Sequence, residues 1–410
     1  MNVPHSRLLI VGALFASAGN SAVHIAIPWL VLETTGSSAN AGLVLGVSGF
    51  SLIFSAPLIG GLIAVLGARP VSIWADIISA GSVVLFPIVG ILFGLNLTSL
   101  IIIAIVGAIF DPAGATARRS LIQAVAEREG LSLIKFNGTY EAAAVSGMVL
   151  GPTGAAVAIN IVGINSTFYL IAIVFLFASC LAFFIPVVTT YTKSDESFSF
   201  GNVIKQTRIG MNALWHDKPL MSLVVLFTLL SALYTPIESI VLSRYFSDQN
   251  DPQTFGFVLS AMAVGVIIGA LQFHRAVKVF SPGNLVIISM TLIGAVVCTM
   301  ALLPNAIIFI GLGLALGLSF GPVSPMTGYL VQQRMPQHLH GPVFGTQFSL
   351  TYLATPAGAL ALGLIVQSVS ISPLLFVLGA LFIAATLLVG FLGPLRRLSM
   401  EALTTNDPTE

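Results

Sequence analysis

Charge is the scarcest property of this 410-residue sequence, because only 8% of its residues are charged while 56% are hydrophobic. A soluble domain carries roughly 25% charged residues, so this chain cannot cover its surface with solvated side chains. Cysteine is also scarce, and Cys180 and Cys298 both fall in apolar runs, where packing is their expected role and no disulfide is indicated. The net charge of +1 lacks the basic excess of a nucleic-acid-binding protein.

Recognisable catalytic motifs are missing as well. The sequence has no nucleotide-binding loop of the G-x-x-x-x-G-K-[ST] type and no His, Asp or Glu cluster at catalytic or metal-ligand spacing. We therefore expect no catalytic residues, no metal site and no cofactor, and an ion gradient rather than ATP as the energy source. A membrane enzyme is therefore a less favoured interpretation of this sequence, and so is a non-transporting sensor.

Long apolar runs are what the sequence has in abundance. Twelve such runs recur along the chain, each long enough to cross a bilayer as a helix. The first run lacks a small-residue cleavage site, so we interpret it as a span rather than a signal peptide. The predicted spans are 8–32, 38–64, 70–94, 97–117, 134–159, 166–189, 219–244, 253–274, 280–303, 305–329, 342–368 and 373–395.

Basic residues are distributed unevenly among the connecting segments. With a cytoplasmic N-terminus, 15 of the 16 Lys and Arg residues fall on the cytoplasmic side, and only Arg244 falls outside. The positive-inside rule describes this asymmetry. We expect a multi-pass protein of the cytoplasmic (inner) membrane with both termini in the cytoplasm.

The two halves of the chain resemble each other. Phe110-x-Pro112 in the fourth span matches Phe320-x-Pro322 in the tenth, and two further matches follow in the same order. We therefore predict an all-α membrane protein with 12 transmembrane helices in two six-helix pseudo-symmetric halves. The predicted divisions are an N-terminal half 1–189, a cytoplasmic linker 190–218, a C-terminal half 219–397 and a disordered cytoplasmic tail 398–410.

Specific motifs lie around the fifth and eleventh spans. The fifth span contains GMVLGPTG, preceded by PAGATARRSLIQAVAEREGLSLIKFNGTYE, and the tenth and eleventh spans are linked by MPQHLHGPVFGTQFSLTYLATPAGA. With these segments the chain resembles the major facilitator superfamily, and more narrowly its drug:proton antiporter branch of macrolide-efflux and enterobactin-exporter proteins. The resemblance covers almost the whole chain. It implies the major facilitator fold and, through the fifth-span signature of antiporters, export.

We accordingly expect a secondary transporter that exports a small amphipathic compound of drug or siderophore type by alternating access, coupled to protons. No Lys or Arg lies deep inside a span, which weighs against densely anionic cargo. An uptake symporter, a uniporter or a lysophospholipid flippase is the alternative. The expected partners are the small-molecule substrate, protons and the lipid bilayer, without nucleic acid, and the protein is expected to be monomeric.

The segment between the second and third spans departs from the family pattern G-x-L-A-D-R-x-G-R-K. Ala64 stands where the family has its acid, so the usual conformational salt bridge cannot form there. Asp76, just inside the third span, could substitute by pairing with a nearby arginine. The gate candidates are Arg69, Asp76, Arg118 and Arg119.

Glu141 is the most prominent acid within a span. It lies about 10 Å into the fifth span at 1.5 Å per residue, at a depth where a carboxylate is costly unless it is neutral or partnered. The helical period places it on one face with Asn137, about 110° from the glycines of the motif. We interpret that face as lining the cavity, and a structural hydrogen bond is the alternative. The motif positions interpreted as helix packing are Gly147, Gly151, Pro152 and Gly154.

Other polar side chains within spans are candidates for chemistry, with core packing or pairing as the competing interpretation of each. Asp111 precedes Pro112, and Glu238 is interpreted as an outer-gate acid, with or without Arg244, or as a solvated rim residue. The proton-coupling or cavity candidates are Glu141, Asp111, His24, Asn20, Asn137 and Glu238. The substrate-cavity candidates are Tyr234, Gln347, Thr351 and Tyr352.

Overall fold

The computed structural model describes residues 4–185, 199–249, 251–366 and 368–391, and the regular elements in these ranges are all helical. Nine of the helices in the described part are long and apolar enough to cross a bilayer. The predicted all-α membrane fold is therefore confirmed. The helices are α1 His5–Thr35, α2 Ser38–Leu66, α3 Ala68–Phe93, α4 Leu97–Glu129, α5 Leu133–Phe183, α6 Phe200–His216, α7 Lys218–Pro236, a π-helical turn Ile237–Leu242, α8 Ser243–Asp248, α9 Pro252–Val279, α10 Pro282–Met300, α11 Ala306–Phe320, α12 Val323–Arg334, α13 Gln337–Ile365 and α14 Ile371–Phe391.

The fifth and sixth predicted spans meet without a separate loop. They form the single element α5, whose two parts join at Gly163 with φ 80° and ψ 165°. Residues other than glycine rarely adopt this backbone conformation. The single residue Gly163 thus takes the place of the connection expected between 159 and 166. The end of the sixth predicted span, the first part of the linker and the tail 398–410 lie outside the described residues.

Two compact units contain the chain, and their composition does not follow the predicted halves. Residues 137–142 of the predicted N-terminal half belong to unit 2, and residues 332–349 of the predicted C-terminal half belong to unit 1. The boundaries at 189 and 219 therefore stay a prediction. Unit 1 comprises Met1–Phe136, Ala143–Ala213 and Gln332–Ser349, and unit 2 comprises Asn137–Ala142, Leu214–Val331 and Leu350–Glu410.

In unit 1, α4 packs against α1, α2 and α3. A cluster of buried apolar side chains from α1, α3, α4 and α5 fills one part of the unit, where Phe86 and Phe168 stack with ring centroids 4.9 Å apart. Large apolar side chains such as Ile91 and Phe183 are exposed on the outside. An apolar outer surface is what a bilayer requires, since the hydrocarbon core solvates such side chains.

The start of α1 is held by the end of α4. Pro4 provides no side-chain cap for α1. Instead, the carboxylate of Glu129 accepts hydrogen bonds from the backbone N–H groups of His5 and Ser6. A negative charge at a helix N-terminus satisfies the unpaired donors and complements the helix dipole.

In unit 2, α9 and α11 approach until their backbones touch. We call this contact the glycine seam, formed by Gly265 and Gly269 on α9 and by Gly317 and Gly321 on α11. A Cβ atom at Gly317 would overlap the carbonyl oxygen of Met262, and one at Gly269 would lie 2.7 Å from the carbonyl oxygen of Leu318. Gly313, one turn before Gly317 on α11, also belongs to the glycine seam, because a Cβ atom there would lie 3.0 Å from the carbonyl oxygen of Val258. Small residues permit this close approach of helices in membranes.

Candidate functional site

A line of polar residues runs between α3 and α4 inside the predicted membrane region. Its spacing on each helix is three or four residues, so all of these side chains lie on the facing sides. We call this line the α3–α4 seam, formed by Ser72, Asp76 and Ser79 on α3 and by Asp111, Gly114 and Arg118 on α4.

An ion pair stands at the centre of the α3–α4 seam. The Arg118 Nη1 atom lies 2.7 Å from Asp76 Oδ2, and both side chains are 4% exposed. The same nitrogen donates to Ser72 Oγ at 3.3 Å. Of the three arginines considered for Asp76, Arg118 is the partner that the structure provides. Removing one member of such a buried pair leaves an uncompensated charge, at a cost of about 3–5 kcal/mol.

Gly114 provides room for this ion pair. A Cβ atom at Gly114 would lie 2.9 Å from Arg118 Nη2 and 3.2 Å from Asp76 Oδ1. A side chain there would push against both charged groups. The glycine therefore belongs to the site, although sequence reasoning did not single it out.

A second carboxylate adjoins the ion pair. The hydroxyl group of the buried Ser79 donates to the Asp111 carboxylate, which also interacts electrostatically with Asp76. No ion pair with Asp111 occurs within the described part of the chain. Two carboxylates and one guanidinium leave an excess of one negative charge in the seam when all three groups are ionised.

The other two gate candidates lie away from Asp76. Arg69 donates to the carbonyl oxygen of Phe183 and places its guanidinium 5.4 Å from the centroid of the Phe183 ring. Arg119 stacks its guanidinium 5.7 Å from the centroid of Phe348, and its carbonyl oxygen accepts from Gln332 at 3.1 Å. The four gate candidates thus divide into one ion pair and two arginine–aromatic contacts.

Glu127 adds a contact between α4 and the start of α13, both in unit 1. One carboxylate oxygen accepts from Gln123 at 2.8 Å, and the other accepts from Gln337 at 2.9 Å. Nearby, a Cβ atom at Gly60 of α2 would lie 2.7 Å from the carbonyl oxygen of Gly341. A hydrogen bond from the Gln337 amide therefore connects α4 with α13, and glycine packing connects α2 with α13. Ala64, which replaces the family's acid, lies on the same helix α2.

The linker helix α6 packs on the same part of unit 1. A Cβ atom at Gly61 of α2 would overlap the carbonyl oxygen of Val203 on α6. A Cβ atom at Gly210 of α6 would overlap Pro342 of α13. The predicted linker 190–218 thus contains a helix, which contacts two spans closely.

Asn137 and Glu141 lie in the short part of α5 that belongs to unit 2. Asn137 is 3% exposed and Glu141 is 9% exposed. Gly138, between them in sequence, faces α9, because a Cβ atom there would overlap the carbonyl oxygen of Ala270. The role expected for Glu141 in transport stays a prediction.

The glycines of the fifth-span motif pack on α1. Cβ atoms at Gly147 and Gly151 would overlap the carbonyl oxygens of Leu14 and Ala18. Pro152 lies inside the uninterrupted first part of α5. Gly154 is different, since a Cβ atom there would meet nothing within 4 Å. A close helix contact at Gly154 is therefore not found among the described residues, although seven residues, about two turns, place it on nearly the same face as Gly147.

Glu238 lies on the π-helical turn that follows Pro236. One turn earlier, Tyr234 stacks on Phe320 with centroids 4.6 Å apart. Arg244, the expected partner of Glu238, instead donates to the carbonyl oxygen of Val366 and lies 3.6 Å from Asp248. Single π-helical turns often occur at functional sites, so Glu238 and Tyr234 stay candidates for substrate contact.

The remaining candidates are dispersed. His24 is exposed on α1, whereas the Oδ1 atom of Asn20, one turn earlier, is buried with no hydrogen-bond partner in the described chain. On α13, Gln347 is buried, and Thr351 and Tyr352 are half-buried.

Besides Gly114, sequence reasoning missed the site residues Ser72 and Ser79. They stand four residues before and three residues after Asp76. Small polar residues at helical spacing around an intramembrane acid were the available signal. Among the described residues, no group of three or more His, Cys, Asp or Glu side chains could hold a metal ion.

Long apolar helices, a duplicated plan and ionisable groups buried between the helices define a multi-pass membrane protein of the transporter class. The family model described as "Major Facilitator Superfamily" matches residues 9–247. The chain belongs to this superfamily, whose members are known as transporters rather than enzymes, and the predicted 12-helix major facilitator fold is confirmed.

Named relatives and a solved structure agree with this assignment. The chain is 30% identical to the multidrug efflux pump Tap of Mycolicibacterium fortuitum, over 96% of this chain and 97% of the relative. It is 22% identical to macrolide efflux protein A of Streptococcus pyogenes, over 92% of this chain and 93% of the relative. A bacterial homologue of the iron transporter ferroportin, in an outward-facing state, superposes with a TM-score of 0.76 at 16% identity, over 97% of this chain and 100% of that structure. At such low identity the structural likeness concerns the fold alone.

Proposed function

We propose that this protein exports small amphipathic drugs across the cytoplasmic membrane in exchange for protons. The names of the two relatives above, a multidrug efflux pump and a macrolide efflux protein, support the cargo class. The observation that carries the coupling is the α3–α4 seam, where two carboxylates adjoin one arginine among buried side chains.

Asp111 is the proton carrier in this proposal. Arg118 balances Asp76, so within the described part of the chain no cation offsets the charge of Asp111 in a medium of low dielectric constant. A proton on Asp111 removes the excess charge. Ser79 can serve both states, because its hydroxyl group donates to the carboxylate and can accept from the protonated acid.

Exchange follows if substrate and proton favour different conformations of the two halves. Alternating access moves a fixed site between the two sides of the membrane, and each ligand shifts that equilibrium only through its differential affinity. Proton uptake by Asp111 from the outside and proton release into the cytoplasm would then accompany outward movement of the drug. Glu141, the other deeply placed acid, contributes substrate contact or a second proton site.

Contacts of α13 with α4 and with α2 form the cytoplasmic gate of the same proposal. Glu127 accepts from Gln337, and Gly60 lies against Gly341. These contacts must separate when the site opens to the cytoplasm. A monomeric transport unit and cytoplasmic termini belong to the proposal as well.

Transport in proteoliposomes tests the proposal. Vesicles of purified protein with an acidic interior would be mixed with a radiolabelled macrolide, and a trapped pH-sensitive dye would report the internal pH. We expect the macrolide to accumulate inside while the internal pH rises faster than in protein-free vesicles. Accumulation with an acidic exterior instead would indicate symport, and a drug panel without any dye response would contradict proton coupling.

A further inference from the structure

Unit 1 contains a cleft at the C-terminal end of α1, away from the α3–α4 seam. Its volume is about 330 Å³, and it is bounded by α1, α3 and the second part of α5. Cavities that bind small molecules begin at about this size. We call it the Glu33 cleft, and its principal lining residues are Leu30, Glu33, Thr34, Pro87, Ile164 and Asn165.

Glu33 is an isolated charge at this end of unit 1. It is the only charged residue between Arg7 and Arg69, and the sequence has no charged residue at 77–110 or at 142–192. Glu33 forms no ion pair in the described part of the chain. Its carboxylate is exposed at the cleft, so a cation must come from outside the protein.

Three residues that line the cleft carry oxygen acceptors. They are Glu33 with its carboxylate, Asn165 with its amide and Thr34 with its hydroxyl group. The Thr34 hydroxyl group donates to the carbonyl oxygen of Leu30 at 2.7 Å, which leaves its lone pairs free to accept. A primary ammonium group has three N–H donors that match these acceptors. A calcium ion takes six to eight oxygen ligands, more than these side chains supply.

The cleft also has an apolar side. Leu30 and Ile164 are 4% and 6% exposed and belong to the buried cluster of unit 1, whereas Ile91 at the edge is 75% exposed. Trp29, on the same end of α1, is 54% exposed. Exposed tryptophans gather at the headgroup level of membranes. The occupant therefore needs a charged head at this level and an apolar body.

We propose that the Glu33 cleft binds the primary ammonium group of an amphiphile. A phospholipid with an ethanolamine headgroup and a soluble long-chain primary amine share this chemistry. The headgroup contacts Glu33, Thr34 and Asn165, and the chain lies along Ile91. The site depends neither on drug export nor on proton coupling.

Quenching of Trp29 fluorescence tests the proposal in the full-length protein. The other two tryptophans would be replaced by Trp74→Phe and Trp215→Phe, and the protein would be placed in phosphatidylglycerol nanodiscs. Phosphatidylethanolamine with brominated chains would be compared with its phosphatidylcholine counterpart. In a second arm, 12-bromododecylammonium would be compared with its trimethylammonium analogue.

We expect roughly threefold to fivefold stronger binding of the primary ammonium probe in at least one arm, as for a partly exposed ion pair. That arm identifies the source as lipid or soluble amine. Glu33→Gln should abolish the preference and Asn165→Ala should reduce it. Asp248→Asn, which changes an exposed acid of unit 2, should leave it unchanged.

Equal quenching by both members of each pair in the parent protein would overturn the proposal. A preference that persists in Glu33→Gln would overturn it too, because the carboxylate would then not be the cation's partner. Glu33 is exposed, so this substitution is not expected to affect folding.

Discussion

The α3–α4 seam and the glycine seam join neighbouring membrane helices in opposite ways. In the first, Asp76 and Arg118 form a buried ion pair surrounded by serines. In the second, backbones touch at Gly317 and Gly269, where any side chain would collide. The α3–α4 seam holds charged side chains between its helices, whereas the glycine seam has no room for side chains and brings the two main chains into contact.

The duplicated motif shows where this difference arises. Between Phe110 and Pro112 stands Asp111, and between Phe320 and Pro322 stands Gly321. A Cβ atom at Gly321 would lie 2.5 Å from a backbone carbonyl oxygen of α9. The same position of the repeat thus holds an acid in one half and a packing glycine in the other. At this position the first copy of the repeat therefore has an ionisable group, and the second copy has a close backbone contact.

The largest effect should follow from breaking the ion pair. Arg118→Met leaves the Asp76 charge buried without its partner, which should lower the free energy of unfolding by about 3–5 kcal/mol. The measurement is unfolding of purified protein in mixed micelles. The double variant Asp76→Leu/Arg118→Met should recover much of this loss. Equal stability of Arg118→Met and the parent would show that the pair is not essential to packing.

A smaller loss should follow from adding a methyl group to the glycine seam. Gly317→Ala collides with a backbone carbonyl that cannot move aside, and overpacking of this kind costs about 1–3 kcal/mol. Gly311 is the matched control, because it lies on the same helix and a Cβ atom there meets nothing within 4 Å. The thermal midpoint should fall for Gly317→Ala only. Because alanine favours a helix more than glycine does, a similar fall in Gly311→Ala would show that the loss does not come from the backbone collision at Gly317.

The charge at the end of α4 should contribute less. Glu129→Gln keeps the shape of the side chain but removes the negative charge that caps α1, which should cost about 1 kcal/mol. Arg128→Gln, a neighbouring exposed position, is the control. Hydrogen exchange at the first turn of α1 would report the loss directly. Unchanged protection there would mean that the Glu129 contact does not hold the helix end.

The smallest effect concerns the helix caps of the glycine seam. Asp251 accepts from the Thr254 N–H at the start of α9, and this hydrogen bonding lowers the pKa of Asp251. An acid whose pKa is lower in the folded state than in the unfolded state stabilises the folded protein at neutral pH. This contribution to the free energy of unfolding is lost as the pH falls through the folded-state pKa. Asp251→Asn should therefore lower the thermal midpoint slightly at pH 7, and this difference from the parent should shrink below pH 4.

Asn305 provides the comparison, because it caps α11 without titrating and accepts from the Ile308 N–H at 3.1 Å. Asn305→Ala should lower the midpoint equally at both pH values. A pH-independent effect of Asp251→Asn would contradict the assignment of the cap to its carboxylate.

Periodic and compositional features predicted most of the fold. The apolar runs predicted the membrane helices, and the repeat of Phe110-x-Pro112 predicted an architecture of two six-helix halves. The join at Gly163 was not predicted, because an isolated glycine in an apolar run does not reveal a positive φ.

The site was predicted only in part. Their positions inside predicted spans identified Asp76 and Asp111, but three arginines could have paired with Asp76, because sequence does not fix how α3 and α4 face each other. Gly154 was assigned to packing because it lies on nearly the same face as Gly147, and helix spacing does not show how far along that face a neighbouring helix stays close. Glu33 attracted no interest in the sequence, because only the fold places it beside a cleft.

Proton release from the purified protein tests the central claim most directly. A saturating macrolide would be added to weakly buffered detergent solution, and a pH indicator would count the protons released. The account predicts that the parent releases protons on binding, that Asp111→Asn binds the drug but releases none, and that Asp248→Asn behaves like the parent. Undiminished release from Asp111→Asn would contradict the assignment of the transported proton to the α3–α4 seam.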